Sequence, residues 1–163
     1  CGRKAATSED AGMDLETVDA VGFGRSLKGL GVNLLVRDVS RSVAFLSDVF
    51  GMRAFQPTRD FAIMTAGPAV VLQLHADHTY HANPLPSLLP ESGPRGSGAE
   101  IRLYEIDPDE AVSKATRHGD ATLLQPATNK PHGLREAYIL DPDGYCWVPS
   151  RLLRDEEVKA LDT

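Results

Sequence analysis

One pattern of residues occurs twice in this chain, about 69 residues apart, and it constrains the fold more than any other feature. In each copy an alternating apolar segment ends at an aspartate. A stretch with helical spacing follows, and a glycine closes it. Asp38 in the first copy corresponds to Asp107 in the second, and Gly51 falls close to Gly119. A chain that repeats a strand-helix-strand order in this way builds two copies of one unit.

In the first copy, Val32, Leu34 and Val36 alternate with Asn33 and Leu35, which is strand period. Asp38 is an N-cap. Val39, Val43, Leu46 and Phe50 are spaced for one helical face, and Gly51 is placed to end the helix. Short strands are expected over 53–55, 61–65 and 70–75, the last entered through a Gly67-Pro68 turn. In the second copy, Glu100 to Glu105 alternates as a strand. Asp107-Pro108-Asp109-Glu110 is a helix start, with a cap, a proline at the first turn and acids behind it. That helix runs to about His118 and stops at Gly119. Strands follow over 122–124, 136–140 and 145–150, the last after an Asp141-Pro142-Asp143-Gly144 turn.

The expected fold class is therefore α+β: two βαβββ modules forming a curled mixed sheet around a cleft, with helices on the convex side. Residues 1–27 read as a mobile or loosely docked arm, with regular structure from near Leu30. One domain spans 28–153, with modules at about 28–76 and 99–153. The connector 77–98 is rich in Pro, Gly, His and Ser, and its length suits a pocket lid. Residues 154–163 form a tail. The chain opens at Cys1; Met13 would serve as a natural start, and Cys1-Gly2 would alternatively fit the processed end of a lipoprotein.

Composition narrows the partners. Lys and Arg are scattered in a chain of net charge -6, which argues against nucleic acid. No apolar run approaches the ~20 residues that span a bilayer. Two cysteines, one at the extreme terminus, make a disulfide framework a poor expectation and a reducing, cytoplasmic compartment the default.

Several segments, in this order and spacing, resemble the vicinal oxygen chelate superfamily, which includes glyoxalases, bleomycin resistance proteins and extradiol dioxygenases. They are Leu34 to Asp38, Ser42 to Phe45, Phe50-Gly51-Met52, Asp107 to Ala111, Gly133-Leu134-Arg135 and Asp141 to Tyr145. The resemblance covers about residues 29–152. It implies a concave cleft and, in many members, a divalent metal held by one side chain from each of four strands. Those positions here are Gly31, Gln73, Glu100 and Val148. Gly31 and Val148 cannot ligate through side chains, so only Gln73 and Glu100 remain for a weakly bound divalent metal. The resemblance also implies a homodimer.

Strand parity marks the same cleft independently. Val32, Leu34, Val36, Val70, Leu72, Leu74, Ile101, Leu103, Tyr145 and Trp147 form an apolar helix-facing set. The opposite face mixes polar and apolar groups, as a ligand cleft does or as the solvated side of a sheet does. From it come the candidate ligand contacts Asn33, Gln73, His75, Glu100, Arg102, Tyr104 and Cys146, with His132 at the cleft mouth. Arg102 either pairs with Glu100 to order the wall or anchors an anionic ligand. Cys146 is an apolar wall residue rather than a nucleophile. His75, His78 and His81 do not make a metal cluster, because a loop does not fix three imidazoles on one face. Phe61, Tyr80 and Tyr104 could stack on a planar ligand.

The first reading is a small-molecule-binding protein without a tightly held metal. The alternative is a divalent-metal-dependent lyase, isomerase or dioxygenase using Gln73 and Glu100. A third is a regulatory or interaction module that keeps the fold without a ligand.

Overall fold

The computed structural model describes residues 13–68, 71–79 and 84–161. The positions of Val70, Tyr80 and His81, and the side chain of Val71, lie outside them.

Both repeats form the expected unit. In the first, β1 (Val32–Val36) leads into helix α2 (Val39–Phe50), then β2 (Arg53–Phe55), β3 (Phe61–Thr65) and β4 (Val71–Ala76). The second runs β5 (Glu100–Tyr104), α3 (Pro108–Arg117), β6 (Thr122–Asn129), β7 (Leu134–Leu140) and β8 (Cys146–Leu152). Each makes a four-stranded sheet, in the orders β1-β4-β3-β2 and β5-β8-β7-β6. The first and last strands of each unit pair in parallel, and the other pairs are antiparallel.

The helices begin and end for local reasons. The Asp38 carboxylate accepts from the Arg41 amide at 3.1 Å, and Asp107 accepts from the Asp109 amide at 2.9 Å. Gly51 sits at φ 68 and closes α2 in the left-handed region. Gly119 does not repeat that role. The cap of α3 is His118, in an extended conformation at φ -87. The expected strand over 122–124 is eight residues long instead. Two register shifts and Pro126 break its alternation, which a sheet tolerates because β6 is an edge strand.

The apolar sets of both sheets pack on α2 and α3 in one core. Phe45 meets Phe50 and His118 edge-on, each at 5.6 Å between ring centroids. Trp147 is fully buried, with its ring centroid 5.8 Å from that of Phe50. Its Nε1 donates to Asp141 Oδ2 at 3.0 Å. Asp141 also accepts from the Asp143 and Tyr145 amides at 2.9 and 3.0 Å, so it organises the turn that launches β8. Burial pushes its carboxyl up to about 6, against the pull of those three donors.

The connector is bound to both units through Arg95, which is only 4 % exposed. Its guanidinium donates to Asp77 Oδ1 and Oδ2, both at 2.7 Å, and to the Leu35 carbonyl at 2.9 Å. Its Nε lies 3.9 Å from buried Asp143, which Arg37 also engages at 2.8 Å. Tyr145 donates its hydroxyl to the same Leu35 carbonyl at 2.9 Å.

Regular structure begins earlier than near Leu30. Asp19 caps a helix, α1 (Ala20–Ser26), accepting from the Gly22 amide at 2.6 Å. Phe23 on that helix is 7 % exposed. The Gln56 amide donates to the Leu15 and Val18 carbonyls at 2.8 and 2.9 Å, tying the segment before α1 to the end of β2. After β8 comes one further short helix, α4 (Asp155–Lys159); Glu157 on it clamps Arg151 at 2.8 and 2.9 Å.

Candidate ligand-binding site

Cross-strand register decides which concave residues meet. On the first sheet Asn33, Gln73 and Ile63 lie in one row, and Leu35, His75 and Phe61 in the next. Helix α1 lies over these rows, and a cavity of about 580 Å³ remains between helix and sheet. Its helix side presents Phe23 and Leu27. Its sheet side presents Phe61, Ile63, Gln73 and His75. Both the size and the mainly apolar lining suit a small organic ligand.

Phe61 and His75 form a tilted ring pair with centroids 4.9 Å apart. Burial lowers the His75 pKa, which favours the neutral imidazole. Gln73 is half-buried, and among the described residues no hydrogen bond reaches its side-chain amide. Phe23 and Leu27 also line a second compartment of about 510 Å³ nearer Gly31, and Gln73 borders both.

The second sheet carries a different surface. Its rows place Glu100 beside Cys146 and Leu140, Arg102 beside Val148, and Tyr104 beside Ser150 and Glu136. Arg102 donates to Glu100 at 2.9 Å and to Glu136 in a close ion pair. Glu136 is 1 % exposed and also meets His132 Nε2 at 2.8 Å. Burial alone would raise the Glu136 carboxyl, but the His132 hydrogen bond and the Arg102 charge outweigh it and hold it below the usual range. Tyr104 is 63 % exposed. Cys146 and Glu100 border a cavity of about 430 Å³ beside the connector. Burial, followed by the nearby Glu100 and Asp141 charges, raises the Cys146 thiol, which disfavours the thiolate a nucleophile needs.

The eight candidate residues thus divide between two surfaces. Gln73 and His75 meet on one cavity. Asn33 is on the same sheet but does not line that cavity. Glu100, Arg102, Tyr104 and Cys146 belong to the other sheet, and His132, in the turn between β6 and β7, joins them through Glu136. Arg102 is occupied by two carboxylates, so the expected Glu100 pair is part of a larger cluster around buried Glu136. Parity on β7 marks Glu136, but only register reveals that it shares the face of Arg102. Phe23 escaped the sequence reading because α1 is short and contains Gly22 and Gly24.

The four-ligand metal set that the resemblance implies does not fit these residues. Gly31 and Val148 bring no ligating side chain. Gln73 lines the first-sheet cavity, whereas Glu100 lies on the second sheet and is bound by Arg102. Among the described residues no group of three or more His, Cys, Asp or Glu is placed to hold a metal ion. Nor is any described helix long and apolar enough to cross a membrane.

Comparison with known proteins agrees with this architecture. The chain is similar to a glyoxalase/bleomycin resistance protein/dioxygenase family enzyme from Burkholderia phytofirmans PsJN, with 22 % identity and a TM-score of 0.63. That match covers 76 % of this chain and 97 % of the other. It is also similar to a glyoxalase-related enzyme from Fulvimarina pelagi, with 18 % identity, a TM-score of 0.60 and coverage of 76 % and 87 %. TioX from Micromonospora sp. ML1 is 26 % identical, with a TM-score of 0.55 and coverage of 77 % and 99 %. No curated protein matches the chain. Residues 30–148 match the family described as Glyoxalase/Bleomycin resistance protein/Dioxygenase superfamily, and over this span, with both modules in place, the chain belongs to that superfamily.

Proposed function

We propose that this protein binds a small organic molecule in the cavity between α1 and the first sheet, without a tightly held metal. The observation that carries the reading is the cavity itself: about 580 Å³, largely apolar, with the Gln73 amide and the His75 ring on its sheet side. The mismatch of Gly31 and Val148 with a metal set supports the second half of the reading. Thermal melts across a compound library test it, run beside elemental analysis and melts with Mn²⁺, Ni²⁺, Zn²⁺ and Fe²⁺. The expected result is a rise in Tm with ring-bearing compounds and no ion retained. One bound ion per chain, with a rise in Tm on adding it, would replace this reading with a metal-dependent lyase, isomerase or dioxygenase.

A cytoplasmic homodimer belongs to the same reading. The free thiol of Cys146 suits a reducing compartment. On the open face of the second sheet, Tyr104 and Leu152 stand exposed, and a second copy would cover them. Sedimentation is expected to give twice the 17.6 kDa chain mass; the mass of one chain at micromolar concentration would rule the dimer out.

A further inference from the structure

The family match begins at residue 30, yet five of the twelve described residues lining the first-sheet cavity precede it: Val18, Ala20, Phe23, Gly24 and Leu27. The sheet side belongs to the shared fold. The opposite wall is supplied by a segment outside the matched span.

The lining also has a definite charge character. Among the described residues it contains no Lys or Arg. The one acidic side chain among them is Asp60, whose Oδ1 is 2.7 Å from His78 Nε2. Lys28 lines the neighbouring compartment, beyond Phe23 and Leu27. Against these residues an anion entering the cavity would lose its water, gain no cation and face a carboxylate. The neutral form of His75 offers it no charge either.

Two features favour a particular neutral ligand. The Phe61–His75 ring pair and the Phe23 ring give aromatic surface on both walls. The Gln73 amide offers both a donor and an acceptor, with no partner among the described residues. A carboxamide or lactam edge satisfies both at once, whereas a ketone satisfies only the donor.

Resting on the binding reading above, we propose that the cavity selects uncharged, ring-bearing molecules with an amide-like edge, and that residues 18–27 are its specificity-determining wall. The edge pairs with Gln73, while the ring lies between α1 and β3.

Three naphthyl probes of one shape test this on the full chain: 2-naphthamide, 2-acetonaphthone and the anion 2-naphthoate. Binding is read by amide chemical shifts and titration calorimetry. The amide is expected to bind at least tenfold tighter than the carboxylate, and to shift Phe23 and Gly24 on α1 together with Gln73 and His75 on β4. Gln73→Leu is expected to remove the advantage of the amide over the ketone, because the amide loses two hydrogen bonds and the ketone one. A Cβ added at Gly24 meets nothing within 4 Å, so Gly24→Leu projects into open space. It also replaces a poor helix former. It is expected to weaken the amide about tenfold without lowering Tm. Naphthoate binding as tightly as the amide, shifts confined to the strands, or a Gly24→Leu variant that binds normally would each overturn the proposal. If library compounds shift this cavity but no naphthyl probe does, the ligand class is wrong and the site stands. If neither does, the binding reading itself fails.

Discussion

Arg95→Ala is expected to lower unfolding free energy by on the order of 3–5 kcal/mol, the usual cost of removing one partner from a buried charge cluster. Arg95 is the hub between the connector and both modules. Its loss strips Asp77 of a two-point ion pair and takes one of two cations from Asp143, which is itself buried. The Leu35 carbonyl loses one donor and keeps the Tyr145 hydroxyl. Arg95→Lys retains a charge but not the planar fork that spans Asp77 and Leu35, so it recovers only part of the loss. Urea unfolding followed by circular dichroism measures both variants. A loss under about 1 kcal/mol for Arg95→Ala would show that the cluster contributes little beyond a surface ion pair.

The second large effect is expected at Trp147. Trp147→Ala empties the centre of the core and is expected to cost about 3–5 kcal/mol. Trp147→Phe is the milder change, because it keeps a six-membered ring in the core while removing the pyrrole half that carries the donor to Asp141. Its cost is expected to be on the order of 1–3 kcal/mol and to depend on pH. Asp141 binds its proton up to about pH 6 in the folded chain but only to about 3.8 when unfolded. Its contribution to stability therefore rises as pH falls through 6 and is complete below about 4. The lost Nε1 donor favoured the charged carboxylate. The Phe variant should thus suffer more at pH 7.5 than at pH 5, as measured by chemical melts at the two values. An equal cost at both would mean that the Trp147 hydrogen bond does not discriminate between the two forms of Asp141.

Much of this arrangement is legible in the sequence. The apolar parity of β1, β4, β5 and β8 identifies the faces that pack on α2 and α3, and Asp38 and Asp107 mark both helix starts. Local period cannot say which concave residues face a common space. That depends on how the connector docks, and the docking is centred on Arg95, a buried cation with no pattern around it. Helix α1 is illegible for a related reason: a seven-residue segment with two glycines has little propensity of its own. Its Asp19 cap and the burial of Phe23 hold it. Within the second sheet, Glu136 reads as one polar residue in a strand until register sets it against Arg102 and His132.

The irregular strand β6 bears on how the protein behaves at high concentration. Its outer side is a sheet edge, and Leu123 and Leu124 on it are exposed. Such an edge would template a strand from another molecule and seed fibrils. Here the two register shifts interrupt the row of free amides and carbonyls, and Pro126 removes one donor outright. An incoming strand finds no continuous ladder to extend, so the same irregularity that hides β6 from sequence periodicity blunts this edge against pairing with another molecule.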